Sequence, residues 1–180
     1  MTYTLSELAK DIKSILQNSD IKDRYDDICF LVSKAVKDDI FVKDNLTERR
    51  PNEKPREVLY EDKDLGFCIC GHVYQAKANG MPHDHGSSWA IYGQAEGETE
   101  MTDWKIVNNP SDDEIIYVKP DKTYTLKRGD VHYYAKGKVH SPVRNSSVKI
   151  LRIEGVNLDY IKRSNIKNDS EESQGLVGNW

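Results

Sequence analysis

Two histidines separated by one residue, His83 and His85, are the side chains whose type and spacing most directly indicate chemistry. In an extended strand, residues i and i+2 point to the same face, so two neutral imidazoles placed in this way can bind one metal ion. A third donor must then come from another strand. His140 follows Gly137 in the order of a turn and then a strand, and we expect it to reach the metal from across a barrel. Three imidazoles would leave coordination positions open for substrate, water or O₂.

The other potential metal ligands lack such a pattern. His72 and His132 are isolated, and we expect neither to bind the metal, although His132 could line the same cavity. Cys68 and Cys70 share one face of a predicted strand but have no further donors close in sequence. We therefore predict that they are small apolar core residues.

The elements that would position these ligands fall into two groups along the chain. Residues 1–45 have helical periodicity, with a capping box at Thr4 and Glu7, and two amphipathic helices are predicted there. From residue 56 to 160, short β-rich runs alternate with turn signals, which is typical of a sandwich or barrel. The predicted strands are 57–60, 66–76, 88–95, 100–107, 114–119, 122–127, 131–135, 139–143 and 147–154.

Composition indicates one ordinary domain of 180 residues. The net charge of −4, from 30 acidic against 26 basic residues, does not favour nucleic acid as a partner. No apolar run is long enough for a membrane span, and the first residues do not resemble a signal peptide, so a cytoplasmic protein with three free cysteines is expected. Residues 161–180 are predicted to form a polar tail, anchored by Leu176 or Trp180. The sequence leaves the oligomeric state open.

The pattern of glycines and histidines resembles the cupin superfamily. Its two motifs match Gly80, His83, His85 and Gly97, and then Gly129, Gly137 and His140. Within the cupins, residues 82–93 (Pro-His-Asp-His-Gly-Ser-Ser-Trp-Ala-Ile-Tyr-Gly) look like the thiol dioxygenases of the cysteine dioxygenase type, and the similarity extends over residues 56–159. The resemblance implies a mostly β chain forming a single cupin double-stranded β-helix barrel (jelly roll) with two N-terminal α-helices.

The resemblance also implies a cofactor. Most cupins add a glutamate ligand four or five residues after the histidine pair, where this chain has Trp89 and Ala90. Thiol dioxygenases lack that glutamate as well and bind iron with three histidines. Fe(II) is therefore the expected ion, with Mn, Ni or Zn as alternatives, because three imidazoles accept several divalent ions.

One arginine matches the family's substrate-binding position. Arg56 precedes Tyr60 by four residues, as does the arginine that binds the substrate carboxylate in that family. A guanidinium can hold a carboxylate through two parallel hydrogen bonds. The alternative is that Arg56 is a solvated charge in a polar connection.

The chain departs from the family at the residues that would handle oxygen. Ala90 replaces the cysteine that is crosslinked to a tyrosine in the animal enzymes. The Ser-x-His-x-Tyr relay of the family aligns with Ile150, Arg152 and Glu154. These differences put thiol dioxygenation itself in doubt.

The predicted strand 147–154 has two possible orientations. Leu151 and Ile153 could face the core, with Arg152 and Glu154 in solvent. Alternatively, Arg152 and Glu154 point into the metal cavity as an ion pair, which is costly to bury unless it is functional. In that case Arg152 would bind substrate and Glu154 could act as a general base.

Strand phase adds Tyr92 as a second catalytic candidate. An odd interval separates His85 from Ala90, so a kink is expected between them, and Gly86 permits one. Beyond the kink, Ala90 and Tyr92 would face the cavity, and Tyr92 could place a hydroxyl near the metal. The alternative is an aromatic core residue.

Three functions are compatible with these residues. The first is an Fe(II) dioxygenase that acts on a small polar or carboxylate-bearing substrate with O₂. The second is a lyase or isomerase that uses another divalent metal without O₂, with Glu154 or Tyr92 as the base. The third is a non-enzymatic metabolite-binding barrel.

Overall fold

The N-terminal segment is helical in a computed structural model that describes residues 3–50, 52–109, 111 and 115–169. The predicted capping box is present: Thr4 Oγ1 accepts a hydrogen bond from Glu7 N, and Glu7 Oε2 accepts one from Thr4 N. The helices are α1 (Leu5–Asn18), α2 (Ile21–Lys37) and α3 (Asp39–Asn45).

The third helix was not predicted from the sequence. Asp38 ends α2, and its carboxylate also accepts hydrogen bonds from the backbone of Ile40 and Phe41 at the start of α3. A single aspartate therefore divides what looks like one continuous helical run, because it satisfies the first amides of a new helix.

Within the described part of the chain, ten strands follow and form two five-stranded sheets. Their bounds are β1 (Arg56–Glu61), β2 (Cys68–Tyr74), β3 (Ala78–Asn79), β4 (Ala90–Glu96), β5 (Thr99–Ile106), β6 (Ile116–Leu126), β7 (Val131–Tyr134), β8 (His140–Arg144), β9 (Val148–Glu154) and β10 (Ile166–Asn168). The strand orders are β1-β2-β9-β4-β7 and β10-β6-β5-β8-β3. Apart from the edge strands β1 and β10, this is the order of two interleaved four-stranded sheets in a jelly roll, and the predicted mostly β fold is confirmed.

The prediction of separate strands at 114–119 and 122–127 was wrong, since β6 runs through Pro120. Trp104 pairs with Pro120 and Asp103 with Lys122, which leaves Asp121 as an extra residue in a β-bulge. A bulge tolerates proline because the missing amide is not needed in the ladder.

Both faces of β9 are buried, for different reasons. Leu151 and Ile153 pack into the core between the first sheet and the helices, while the alternate residues face the barrel interior. Helix α2 lies close to this sheet because Gly93 has no side chain: a Cβ there would be 2.5 Å from Val32 Cγ1.

The C-terminal segment contributes to the barrel. Strand β10 pairs in parallel with residues 116–118 of β6. The proposed anchors Leu176 and Trp180 lie outside the described residues. Among the described residues, no helix has the length and apolar character needed to cross a membrane.

Candidate metal centre and cavity

The three predicted ligands come together at one end of the barrel. Ligand nitrogens of His83, His85 and His140 all lie within 4.8 Å of one another, so this group could hold a metal ion. His83 and His140 form an antiparallel bridge in which each amide donates to the other's carbonyl at 3.0 Å. His140 therefore arrives directly beside His83. It does not reach across the barrel, and the histidine pair lies in a loop with this one bridge instead of in a strand.

The free ring nitrogens fit a metal ion. His83 Nδ1 lies 2.8 Å from the carbonyl oxygen of Met81, which leaves Nε2 as the available ligand atom. His85 Nδ1 and both ring nitrogens of His140 are buried and have no hydrogen-bond partner among the described residues. Buried polar atoms without partners are costly, and a bound cation would coordinate one nitrogen of each ring, namely Nδ1 of His85 and one of the two nitrogens of His140.

The surroundings keep these imidazoles neutral, as metal ligation requires. Burial lowers the pKa of His83 to about 4. Burial, followed by the charge of Arg152, lowers the pKa of His85 to about 2. Burial also holds the pKa of His140 well below its usual value, together with the neighbouring His83 and His85.

The loop that carries the histidine pair is fixed by the C-terminal segment. Gly86 has a positive φ of 56°, and a Cβ there would lie 2.6 Å from the carbonyl oxygen of Lys162. The buried Asp84 accepts a hydrogen bond from Gly86 N at 3.1 Å, and its carboxylate also accepts from Ser164 Oγ at 2.6 Å. The kink predicted at Gly86 thus also allows the close approach of residues 161–164.

Aromatic rings surround the histidines. The ring of Tyr134 stacks on His140 with 4.0 Å between centroids, a contact that the sequence did not reveal. His132 packs between Tyr134 and Tyr124 and does not belong to the group of candidate ligands.

Tyr92 lies in the barrel interior, as the phase of β4 predicts. Its hydroxyl is 3.1 Å from His85 Nε2 and accepts a hydrogen bond from Arg152 Nη1 at 3.0 Å. Tyr92 also pairs with Arg152 across strands β4 and β9. The phenol therefore links a candidate metal ligand to a buried guanidinium.

A cavity of about 410 Å³ opens beside His83, one of the three candidate ligands. Four of its lining residues are predicted site residues, namely Arg56, His83, Tyr92 and Arg152. The remaining lining residues are His72, Tyr74, Ala78, Asn79, Gly80, Met81, Pro142, Arg144 and Arg163. His72 and Arg144 are buried cavity residues that the sequence analysis did not assign to the site.

Arg152 and Glu154 point to the barrel interior, as in the second of the two predicted orientations, but of the two only Arg152 lines the cavity. Both are buried, and they form an ion pair. Arg56 donates to the same carboxylate, from Nε at 3.1 Å and from Nη2 at 2.8 Å. Arg56 also donates to Asn157 Oδ1 at 2.9 Å and to Asp159 Oδ2 at 2.7 Å, so it is not a solvated charge in a connection.

Glu154 is held as a carboxylate. Burial raises its pKa, but the hydrogen bonds from Arg56 and the charge of Arg152 outweigh burial and lower the pKa to about 2. The amide of Leu158 donates to Oε2 as well, at 3.1 Å. With two guanidinium groups and an amide as donors, this carboxylate is a weak base.

Arg144 and His72 were not predicted to belong to the site, although the alternation of side chains along a strand gives some information about each of them. Arg144 is four residues after His140 on the same strand, and therefore on the same face. His72 lies two residues after Cys70 in β2, and therefore on the same face of that strand as Cys70. Neither residue could be assigned to the site from the sequence, because the sequence does not show which strand faces enclose the cavity.

Comparisons with known proteins give distant similarities. No protein-family model and no curated protein sequence matches the chain. Among solved structures, a cupin superfamily protein from Desulfitobacterium hafniense DCB-2 has 15% identity and a TM-score of 0.45, over 62% of this chain and 84% of that one. A protein with a double-stranded β-helix domain from Klebsiella pneumoniae subsp. pneumoniae MGH 78578 has 15% identity and a TM-score of 0.47, over 66% and 84% of the two chains. KdgF from Halomonas sp. has 15% identity and a TM-score of 0.44, over 64% and 94%.

These neighbours include cupin superfamily proteins, whereas the resemblance to cysteine dioxygenases stays a prediction. At this level of identity and TM-score, function has to be argued from the residues of the site itself.

Proposed function

We propose that the protein is a metal-dependent enzyme, an Fe(II) non-haem dioxygenase that acts on a small polar or carboxylate-bearing substrate. The observation that carries the proposal is the convergence of His83, His85 and His140, with ligand nitrogens within 4.8 Å of one another, beside a cavity. A bound iron would supply one-electron chemistry with O₂, which no side chain supplies. Mn, Ni or Zn are the alternative ions.

The protein's own residues would position the substrate and move protons. Arg56 and Arg152 line the cavity, and both are held in place by Glu154. Their charges are already paired with Glu154, so their contact with a substrate would be through hydrogen bonds to its polar groups. The barrel wall encloses the two fully buried ligands, His85 and His140, so substrate would approach on the side of His83 and Tyr92.

Tyr92 is the group best placed to transfer a proton. Its hydroxyl lies beside His85 and receives a hydrogen bond from Arg152. The phenol that thiol dioxygenases carry at the position of Glu154 would thus be replaced by a phenol from the neighbouring strand, since Tyr92 pairs with Arg152. We assign Glu154 a positioning role, because two guanidinium groups already occupy its carboxylate.

The second candidate function is a lyase or isomerase that does not consume O₂. It is favoured by the same hydroxyl of Tyr92, which could act as an acid or base on a substrate polarised by another metal.

Metal analysis combined with oxygen-uptake screening tests the first function. The purified protein, reconstituted with Fe(II), should bind about one ion per chain and consume O₂ with at least one member of a panel of small thiols and carboxylates. Tyr92→Phe should retain the metal and lower turnover by roughly 10²–10⁴-fold if the phenol is an acid or base. Turnover under anaerobic conditions would favour the lyase or isomerase, and absence of metal binding would refute both.

A further inference from the structure

Arg144 on strand β8 carries a buried guanidinium that has no countercharge among the described residues. Its residue is only 4% exposed, and Nε is buried without a hydrogen-bond partner. No hydrogen bond or ion pair joins its side chain to another described residue, and the guanidinium carbon lies 4.2 Å from the centroid of the Tyr74 ring. A ring face attracts a cation but does not neutralise it.

The charges around the cavity are unbalanced at this arginine. Four arginines line the cavity, whereas no acidic side chain is among the described lining residues. Arg56 and Arg152 are compensated by Glu154 and Asp159, neither of which lines the cavity. Arg163 lies at the rim and is exposed to water. This leaves Arg144 as the uncompensated buried charge among the described residues that line the cavity.

A buried, unpaired charge is costly for folding, and arginine stays protonated in proteins. Such a group is retained at a cost unless something supplies the opposite charge in the working state. The cavity is open to Arg144, so a bound anion can supply it.

The position of Arg144 defines where that anion would lie. His140 begins β8, Arg144 ends it, and both face the interior. Four residues of strand separate their Cα atoms by roughly 13 Å. His83 and Arg144 line one continuous cavity, so a single small molecule could reach from the histidines to the guanidinium.

We propose that Arg144 binds the carboxylate of the substrate, with the reacting end of the same molecule at the three histidines. The placement of the reacting end at the histidines rests on the proposed function, whereas the contact between Arg144 and the carboxylate does not. It differs from the sequence-based expectation, in which Arg56 and Arg152 hold the carboxylate, because the charges of those two arginines are already paired. Tyr74 holds the guanidinium plane from one side, and His72, buried nearby with Nε2 unpartnered, is a further group that could contact the anion.

Anion binding to the metal-free protein tests the proposal without relying on activity. Chelator-treated protein is melted and titrated calorimetrically with acetate, propionate, butyrate, succinate, glutarate, adipate and inorganic phosphate at constant ionic strength. At least one carboxylate should raise the melting temperature of the unsubstituted protein. Arg144→Met should weaken that binding by at least about tenfold, since a charged hydrogen-bonding partner is lost. Arg144→Lys should bind with intermediate affinity because it keeps the charge without the planar fork.

Arg128→Met is the matched control, because Arg128 is exposed and pairs with Asp39 on the outside of the barrel. It should bind the carboxylates as the unsubstituted protein does. In the absence of anions, Arg144→Met should melt at the same temperature or higher, whereas a purely structural arginine would lower the melting temperature when removed.

The proposal is overturned if no carboxylate stabilises the unsubstituted protein, or if Arg144→Met and the unsubstituted protein bind the panel equally. Stabilisation by phosphate alone would overturn the carboxylate assignment. The metal content of the same variants distinguishes the carboxylate site at Arg144 from the proposed metal centre, because Arg144→Met should bind metal as the unsubstituted protein does. Carboxylate binding through Arg144 in a protein that never binds metal would refute the metal centre alone.

Discussion

The surroundings of each candidate histidine favour its neutral, metal-binding form. His83 has one nitrogen occupied by the Met81 carbonyl, so a single tautomer is favoured. His140 lies between the ring of Tyr134 and the other two histidines. Burial disfavours the protonated form of each ring, and a divalent ion is the natural competitor for the unpaired nitrogens.

Removing one candidate ligand should remove most of the metal. His83→Ala or His140→Ala leaves two imidazoles, and we expect metal affinity to fall by more than ~100-fold. This exceeds the usual effect of losing a residue that only hydrogen-bonds a ligand. Metal analysis after dialysis measures this. His132→Ala is the control and should keep its metal, because His132 packs on Tyr134 away from the ligand group. Metal loss in His132→Ala but not in His140→Ala would show that the third ligand is misassigned.

Metal binding should weaken only at a lower pH than is usual for histidine ligands. The pKa of His83 is lowered to about 4 and that of His85 to about 2, so both rings are neutral above about pH 5. Co²⁺ affinity, followed by visible absorption, should therefore stay constant from pH 8 to about 5.5 and fall only near pH 4. For imidazoles with an ordinary pKa near 6.5, affinity would already fall between pH 7 and 6. A decline of that kind would contradict the burial argument.

At the scale of elements, helix α2 and strand β4 are fitted to each other. Val32 and Val36 of the helix lie against the backbone of Gly93, whose missing side chain allows the contact. The same strand carries Tyr92 on its opposite face, towards the cavity. The helix therefore supports the back of the strand that presents a candidate catalytic hydroxyl.

A methyl group at Gly93 should disturb this contact. In Gly93→Ala, the new Cβ would lie 2.5 Å from Val32 Cγ1, which is too close for a relaxed structure. We expect the free energy of unfolding in urea to fall by about 1–3 kcal/mol, as in other overpacked cores, with metal content unchanged. Adding Val32→Ala should recover part of the loss, so that the double variant is more stable than the sum of the two single effects predicts. Strict additivity would argue against the steric explanation.

For the molecule as a whole, Glu154 joins parts that are distant in sequence. Its carboxylate accepts from Arg56 on β1, from Arg152 on β9 and from Leu158 after the last long strand. The two guanidinium groups can be buried beside a cavity because this one carboxylate lies between them. Loss of its charge should therefore affect global stability before it affects any single step of catalysis.

Glu154→Gln should destabilise the protein in a pH-dependent way. Breaking a buried charge cluster costs about 3 kcal/mol or more at neutral pH. Because the folded-state pKa of about 2 is below the ordinary value of 4.5, the carboxylate's contribution is complete above about pH 5 and is lost as pH falls towards 2. Urea denaturation at several pH values should show a gap between the two proteins that narrows over this range. Glu48→Gln, at an exposed position, should show no such gap.

The sequence by itself determined the class of fold and the candidate ligands. Alternating apolar residues and turn glycines indicated a β-barrel, and the spacing of His83, His85 and His140 within two motifs identified the histidines that the fold brings together. These signals are local or have a fixed period, so they survive without knowledge of the tertiary contacts. The orientation of β9 was left open because a strand covered on both faces does not alternate between apolar and polar residues.

Only the tertiary structure decided how the buried charges are distributed. Glu154 looked like a base until Arg56, nearly a hundred residues away, was found on the same carboxylate as Arg152. Arg144 was not assigned to the site from the sequence, and it became a candidate only because the cavity contains no acid among its described lining residues to pair with it. Charge compensation in a barrel depends on neighbours from different strands, and strand pairing over such separations is not encoded in any local pattern.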